Sequence, residues 1–304
     1  MKHLALTVLH IYALTALISL QASDSISVIT SVSVGELLDK ITILQIKLER
    51  VKSAKKRANI AIELETLKKM FARAGLEETE NVGALDTLVD ELRSINETLW
   101  DLEDATRRKE SHHKYDDEFK QFAARIIDRN DTRARTKAAI NKLTNSAIVE
   151  EKSYKEMASS ERTSHTHNTL VAIEIPFAEL IDKITILEVK LEKITDINKR
   201  VNIQTELELL CATRNEICHM TPDLEAQTTL LRASNRTMFD IQDAIRATIH
   251  AGLLDDEFVH LARSVYFTND ERCHIKHVIN DLVGSHLIEE KEYTEYDTMK
   301  TEPA

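Results

Sequence analysis

The stretch ELLDKITILQIKLE, from Glu36 to Glu49, recurs as ELIDKITILEVKLE, from Glu179 to Glu192. Eleven of the fourteen positions are identical, and the other three exchange Leu for Ile, Gln for Glu and Ile for Val. Similarity this strong inside one chain indicates a structural unit that is present twice.

Both copies of the stretch have the apolar spacing of an α-helix. Apolar residues alternate spacings of four and three positions, which places them along one side of a helix. In the first copy they are Leu37, Ile41, Leu44, Leu48 and Val51, and in the second they are Leu180, Ile184, Leu187, Leu191 and Ile194. Each repeat is therefore expected to begin with an amphipathic helix.

The duplication continues downstream of these helices. At an offset of 143 residues Glu63 recurs as Glu206, and at an offset of 139 Asn96 recurs as Asn235. The apolar spacing predicts a second, a third and a fourth helix in each copy. The pair Asn130-Asp131 predicts an N-cap that starts a fifth helix.

The composition favours long helices, because the 304 residues include only five Gly and three Pro. β-Branched runs at 26–34 and 170–175 predict a short strand before each first helix, and the two strands are expected to pair. We expect an all-α protein of two homologous helical-bundle domains in tandem, at 24–154 and 169–296. A polar linker at 155–168 joins them, and a disordered tail at 297–304 follows.

The N-terminal segment has a different pattern. Lys2 and His3 precede an apolar run from Leu4 to Leu20, and small residues follow it. This is the pattern of a secretory signal peptide, which we expect at 1–23, with the protein secreted or in the secretory pathway. The alternatives are a retained membrane anchor and an ordinary helix.

Polar residues that are identical in both copies are the candidates for a ligand-binding site. Exposed charged residues exchange at little cost in a duplicated segment, so their identity calls for a specific reason. In the first copy they are Glu36, Asp39, Lys40, Asn96, Asp104, Arg107, Arg133 and Lys137, together with the aromatic Trp100. Their counterparts are Glu179, Asp182, Lys183, Asn235, Asp243, Arg246, Arg272 and Lys276. The competing explanations are helix capping by Glu36, solvated ion pairs and a second helix interface. Asn96 and Asn235 also head Asn-X-Thr sequons, where we expect the Asn to have a structural role.

Several of these segments resemble an uncharacterised bacterial helical domain, classed as a domain of unknown function. The segments are SVGELLDKITILQIKLE from Ser33, LWDLED from Leu99, IVEEKSY from Ile148 and LARSVYFTNDER from Leu261. The resemblance covers two tandem copies and implies no activity. The second copy keeps Arg263 and Tyr266 within LARSVY, which adds both residues to the candidates for ligand binding.

The leading hypothesis is a binding module without a cofactor. It would recognise a polar or anionic small ligand, phosphorylated or sugar-like, or a protein partner, through a charged groove in each repeat. One alternative is a Mg²⁺-dependent phosphoester or pyrophosphate hydrolase, with Glu36, Asp39, Asp101 and Asp104 as metal ligands. Another alternative is a structural or assembly protein. The net charge of −11 disfavours nucleic acid as a partner, and a membrane would be a partner only if the N-terminal segment were retained.

Overall fold

The computed structural model describes residues 26–76, 82–148 and 169–287. In the first copy it has β1 (Val28–Val32), α1 (Val34–Arg50), α2 (Ala54–Arg73), α3 (Val82–Ser111) and α4 (Asp117–Leu143). The second copy has β2 (Val171–Ile175), α5 (Phe177–Lys193), α6 (Ile197–Ile217), α7 (Pro222–His250) and α8 (Asp256–Val283). The expected architecture is confirmed: two homologous helical units in tandem, each with a short strand before its first helix.

The expected signal peptide, linker and C-terminal tail lie outside the described residues. In the part of the chain that is described, none of the helices is both long enough and apolar enough to cross a bilayer.

The fifth helix expected at Asn130-Asp131 is wrong, because α4 runs without interruption through both residues. Neither side chain caps a helix here. Asn130 accepts a hydrogen bond from Arg133, and Asp131 accepts one from Arg246 of the second copy, at 2.9 Å. A partner on the same helix satisfies Asn130 and a partner on another helix satisfies Asp131, although both short polar side chains would otherwise favour a helix start.

The two strands pair with each other, and their register reveals an internal twofold symmetry. β1 and β2 are antiparallel, with Val28 opposite Ile175 and Val32 opposite Val171. Thr30 lies opposite Ile173, and the two occupy the central position of their strands. Thr30 therefore faces its own counterpart, while Val28 faces the counterpart of Val32 and Val32 faces the counterpart of Val28, which is the pattern of an isologous interface.

The paired strands join the two copies into one hydrophobic core. Alternate residues of both strands are buried, including Val28 and Ile173 at 0% exposure. Helix α2 contacts β2 and helix α6 contacts β1, so each strand packs against a helix of the other copy. The largest cluster of buried apolar residues accordingly contains members of both copies.

A second contact between the copies involves the long helical hairpins α3–α4 and α7–α8. Arg107 on α3 pairs with Asp270 on α8 at 3.4 Å, and Arg246 on α7 pairs with Asp131 on α4 at 2.9 Å. These pairs are reciprocal, since Arg246 is the counterpart of Arg107 and Asp270 that of Asp131. An apolar cluster that includes Phe119 of the first copy and residues of the second lies nearby. The twofold relation seen in the strands thus extends through the hairpins.

We expect Ile173→Ala to lower the free energy of unfolding by about 2–5 kcal/mol, because it removes a fully buried side chain from the shared core. The matched control is Ile29→Ala, since Ile29 lies on the outer face of β1 and is 64% exposed. Urea denaturation followed by circular dichroism measures both variants. Equal losses of stability in the two variants would contradict the shared core.

Candidate functional site

A pocket of about 390 Å³ lies between the two first helices, α1 and α5. Its lining comes from α1, α2 and α4 of the first copy and from α5, α6 and α8 of the second. The lining residues occur as counterparts: Glu36 with Glu179, Asp39 with Asp182, Lys40 with Lys183, Ile43 with Ile186, Leu44 with Leu187, Lys47 with Lys190, Glu63 with Glu206 and Lys137 with Lys276. The pocket therefore lies on the twofold axis and belongs to both repeats.

A buried carboxylate is held at the base of each half of the pocket. Asp39 is 2% exposed. It accepts hydrogen bonds from Asn96 at 2.9 Å and from Arg133 Nε at 3.1 Å, and Arg133 Nη2 forms an ion pair with it at 3.0 Å. The Asn96 amide also donates to Thr42 at 2.9 Å. This arrangement accounts for the Asn96 sequon, since the Asn side chain is a buried structural donor.

The second copy repeats this arrangement around Asp182. Asn235 donates to Asp182 and to Thr185, each at 2.9 Å, and Arg272 approaches Asp182 to 2.9 Å. The two arginines differ in one detail. Arg133 uses Nε and Nη2 on Asp39, whereas Arg272 uses Nη2 alone. The buried Nε of Arg272 has no hydrogen-bond partner within the described part of the chain.

Ion pairs between α1 and α5 cross the twofold axis. Lys40 of α1 contacts Glu179 of α5 at 2.7 Å, and Lys183 of α5 contacts Glu36 of α1 at 3.7 Å. Glu36 also accepts a hydrogen bond from Lys137 at 2.5 Å. Helix α1 is capped by Ser33, which accepts from the Glu36 backbone N–H, while the Glu36 carboxylate contacts the lysines of the pocket. The Ser33 side chain therefore supplies the cap, and the Glu36 carboxylate belongs to the pocket.

The start of α1 is fixed by the end of α4. The backbone N–H of Gly35 donates to Asn141 at 2.7 Å, and the equivalent N–H of Ala178 donates to Asn280 at 2.8 Å. A Cβ atom on Gly35 would lie 2.6 Å from the carbonyl oxygen of Lys137, so a side chain here would force a shift of the backbone, whereas the second copy has Ala178 at the equivalent position. These bonds satisfy donors that a helix start leaves unpaired and bring Glu36 and Lys137 to the same pocket wall.

Electrostatics keep the buried groups charged. Burial alone would raise the pKa of Asp182, but the charges of Arg272 and Lys276, with hydrogen bonds from Asn235 and Arg272, hold it below its ordinary value. Burial likewise opposes the charge on Arg133, yet the nearby carboxylates, Asp39 first, raise its pKa above the ordinary value. Opposite charges thus offset the cost of desolvation on both sides of the axis.

The remaining candidate residues are placed elsewhere. Arg107 and Arg246 form the ion pairs between the hairpins described above, and Tyr266 lies under the Arg107 guanidinium, 5.4 Å from it. Arg263 pairs with Glu110 at 3.0 Å. None of these four residues lines the pocket.

Trp100, Asp104 and Asp243 also lie away from the pocket lining. Trp100 lies beneath Arg50, 5.8 Å from the ring centre to the guanidinium carbon. Asp104 pairs with Arg108 on the same helix, and Asp243 is exposed on α7. Of the candidate residues on the third helix of each copy, only Asn96 and Asn235 bond to the carboxylates of the site.

Sequence reasoning missed four polar residues of the pocket wall: Lys47, Glu63, Lys190 and Glu206. The signal that identifies them was present, because each is identical to its counterpart at an offset of 143. Lys47 and Glu63 lie on different helices, so only the fold shows that they face the same cavity.

The carboxylates expected to hold Mg²⁺ do not come together. Asp101 pairs with Arg50 and Asp104 with Arg108. Arg50 lies fourteen residues from Glu36 on α1, which is about 21 Å along the helix axis. Among the described residues, no group of three or more His, Cys, Asp or Glu side chains is placed to hold a metal ion.

The chain is thus a helical protein made of two copies of one unit, each with a strand and four helices in the described part, arranged about an internal twofold axis. A family model described as a family of unknown function, DUF6165, matches residues 28–170 and again residues 171–303. These two matches span most of the sequence, so the chain belongs to this family and carries its domain twice. The resemblance found in the sequence is confirmed. No curated protein and no solved structure matches the chain.

We expect Asp182→Asn to lower the free energy of unfolding by about 3–5 kcal/mol, because it removes a buried carboxylate that pairs with the half-buried Arg272 at 2.9 Å. The control is Asp90→Asn, an exposed carboxylate on α3. Urea denaturation at neutral pH compares the two variants, and equal stabilities would contradict the assignment.

The variant Asp182→Asn also tests the direction of the pKa shift of Asp182. Because the folded-state pKa of Asp182 lies below its unfolded value, its stabilisation is present above about pH 4 and is lost as pH falls through the folded-state pKa. Asp182→Asn should therefore lose less stability than the parent protein between neutral and acid pH. An unchanged acid dependence would show that Asp182 does not contribute to it.

Proposed function

We propose that this protein is a binding module for a small, anionic, phosphorylated sugar-like molecule, held in the pocket between α1 and α5. The sequence led us to expect a groove in each repeat. The position of the pocket supports a single shared site instead, since both repeats contribute equivalent residues to it.

The observation that carries the proposal is the identity of the pocket lining in the two copies. Each of the paired lining positions has the same residue type in both copies, and Arg133 has Arg272 as its counterpart. Some buried core positions differ between the copies, since Val34 corresponds to Phe177 and Leu38 corresponds to Ile181. A fold alone requires its core to stay apolar, whereas a ligand requires particular polar groups in particular places.

The charge of the lining supports an anionic ligand. Seven cationic and six anionic side chains line the pocket, so it carries a slight positive excess in a protein whose net charge is −11. Lysine and arginine are the usual donors to phosphate oxygens in proteins. Lys40 and Lys183 are each about one-fifth exposed and are within reach of a molecule in the cavity.

The carboxylates and the apolar residues fit the sugar part of the ligand. Ionised carboxylates only accept hydrogen bonds, and sugar hydroxyls donate them, so Glu36 and Glu179 suit a polyhydroxylated molecule. Ile43 and Ile186 add apolar surface for ring carbons. The volume of about 390 Å³ lies in the range of small-molecule pockets.

Thermal unfolding in the presence of glucose 6-phosphate, glucose and inorganic phosphate tests the proposal. We expect glucose 6-phosphate to stabilise the protein most, because it engages both the cations and the carboxylates. A ligand at 100 times its dissociation constant adds about 2.7 kcal/mol. Isothermal titration calorimetry then gives the affinity.

The matched variants are the double substitution Lys40→Gln with Lys183→Gln, and the control Lys68→Gln on the exposed surface of α2. Glutamine keeps a hydrogen-bond donor for Glu179 and Glu36 but removes the charge. We expect the double variant to lose the stabilisation and the control to keep it. Stabilisation by glucose 6-phosphate that persists in the double variant would refute the proposal. So would the absence of any stabilisation of the parent protein by the three probes.

A further inference from the structure

Every cation that lines the pocket has a counterpart in the other copy, and each of these counterparts except Arg272 also lines the pocket. Lys40, Arg133 and Lys137 on the first side correspond to Lys183, Arg272 and Lys276 on the second. Both sides build the same contacts, since each arginine pairs with the buried aspartate of its own copy. A ligand with a single anionic group would use only one of these two equivalent sets.

The two sets of cations face one cavity at close range. Lys40 reaches across the axis to Glu179, and Lys183 reaches across it to Glu36. Glu36 and Lys40 are one helical turn apart on α1, as Glu179 and Lys183 are on α5, and one turn spans about 5.4 Å. Both sets therefore lie within the reach of one small molecule.

From this twofold arrangement we infer that the ligand carries two phosphate or similar anionic groups, one for each set of cations. The inference rests on the proposed function and narrows it from phosphorylated sugars to bis-anionic ones. One end of such a ligand binds Lys40 and Lys137 of the first copy, and the other end binds their counterparts Lys183 and Lys276. Once the first group is bound, the second binds at a high effective concentration, which raises affinity without any new type of contact.

The test compares two ligands that share the same sugar, glucose 6-phosphate and glucose 1,6-bisphosphate, by isothermal titration calorimetry. We expect one bisphosphate per chain, bound about 100-fold or more tightly than the monophosphate. Equal affinities would overturn the inference and leave the proposed function standing. If neither ligand binds, both the inference and the proposed function fail.

The single variants Lys40→Gln and Lys183→Gln test directly whether both sets of cations bind the same ligand. Lys68→Gln is the control for the loss of one positive charge. Either single variant should bring the affinity for the bisphosphate down towards that for the monophosphate, and the two should do so equally. The affinity for the monophosphate should fall only about twofold, because one of its two equivalent sites is intact. A large effect of one lysine and none of the other would contradict a two-ended ligand. Circular dichroism confirms that each variant is folded.

Discussion

The antiparallel pairing of β1 with β2 is the constraint on which the rest of this structure depends. Thr30 and Ile173 lie opposite each other at the centre of the pair, and the twofold relation of the whole molecule follows from that register. A shift of one residue would move the buried side chains of a strand to the outer face. Helices α2 and α6, each of which packs against the strand of the other copy, would then lose apolar partners. The shared core therefore specifies the register.

The symmetry explains how an ordinary helical repeat acquires a pocket. Neither copy encloses the cavity alone, because α1 and α5 form opposite walls. The same axis relates the ion pairs between the hairpins, Arg107 with Asp270 and Arg246 with Asp131. The charged residues that the two copies share therefore form ion pairs between the hairpins, whereas those on α1 and α5 line the pocket.

The sequence predicted much of the fold because duplication and apolar spacing are local signals. It revealed the first helices, the strands and the equivalence of the copies. It misplaced a helix start at Asn130-Asp131, since nothing local shows that Asp131 pairs with an arginine 115 residues away. A residue that favours a cap can remain inside a helix when tertiary contacts satisfy it.

The site was predictable only in part. Glu36, Asp39 and Lys40 were identified because they lie on one helix and recur in the second copy. Arg107 and Trp100 were also candidates, but they make contacts between helices. The sequence alone does not distinguish residues that line the pocket from residues that hold helices together. That the two sets of residues share one cavity depends on how the copies pack, which is a property of the fold.

A crystal structure of the protein with glucose 1,6-bisphosphate tests the central claim, one shared site on the twofold axis, most directly. The account predicts a single molecule between α1 and α5, with one phosphate near Lys40 and Lys137 and the other near Lys183 and Lys276. A molecule bound to the outer surface of one repeat, or an unoccupied pocket at saturating ligand, would contradict it.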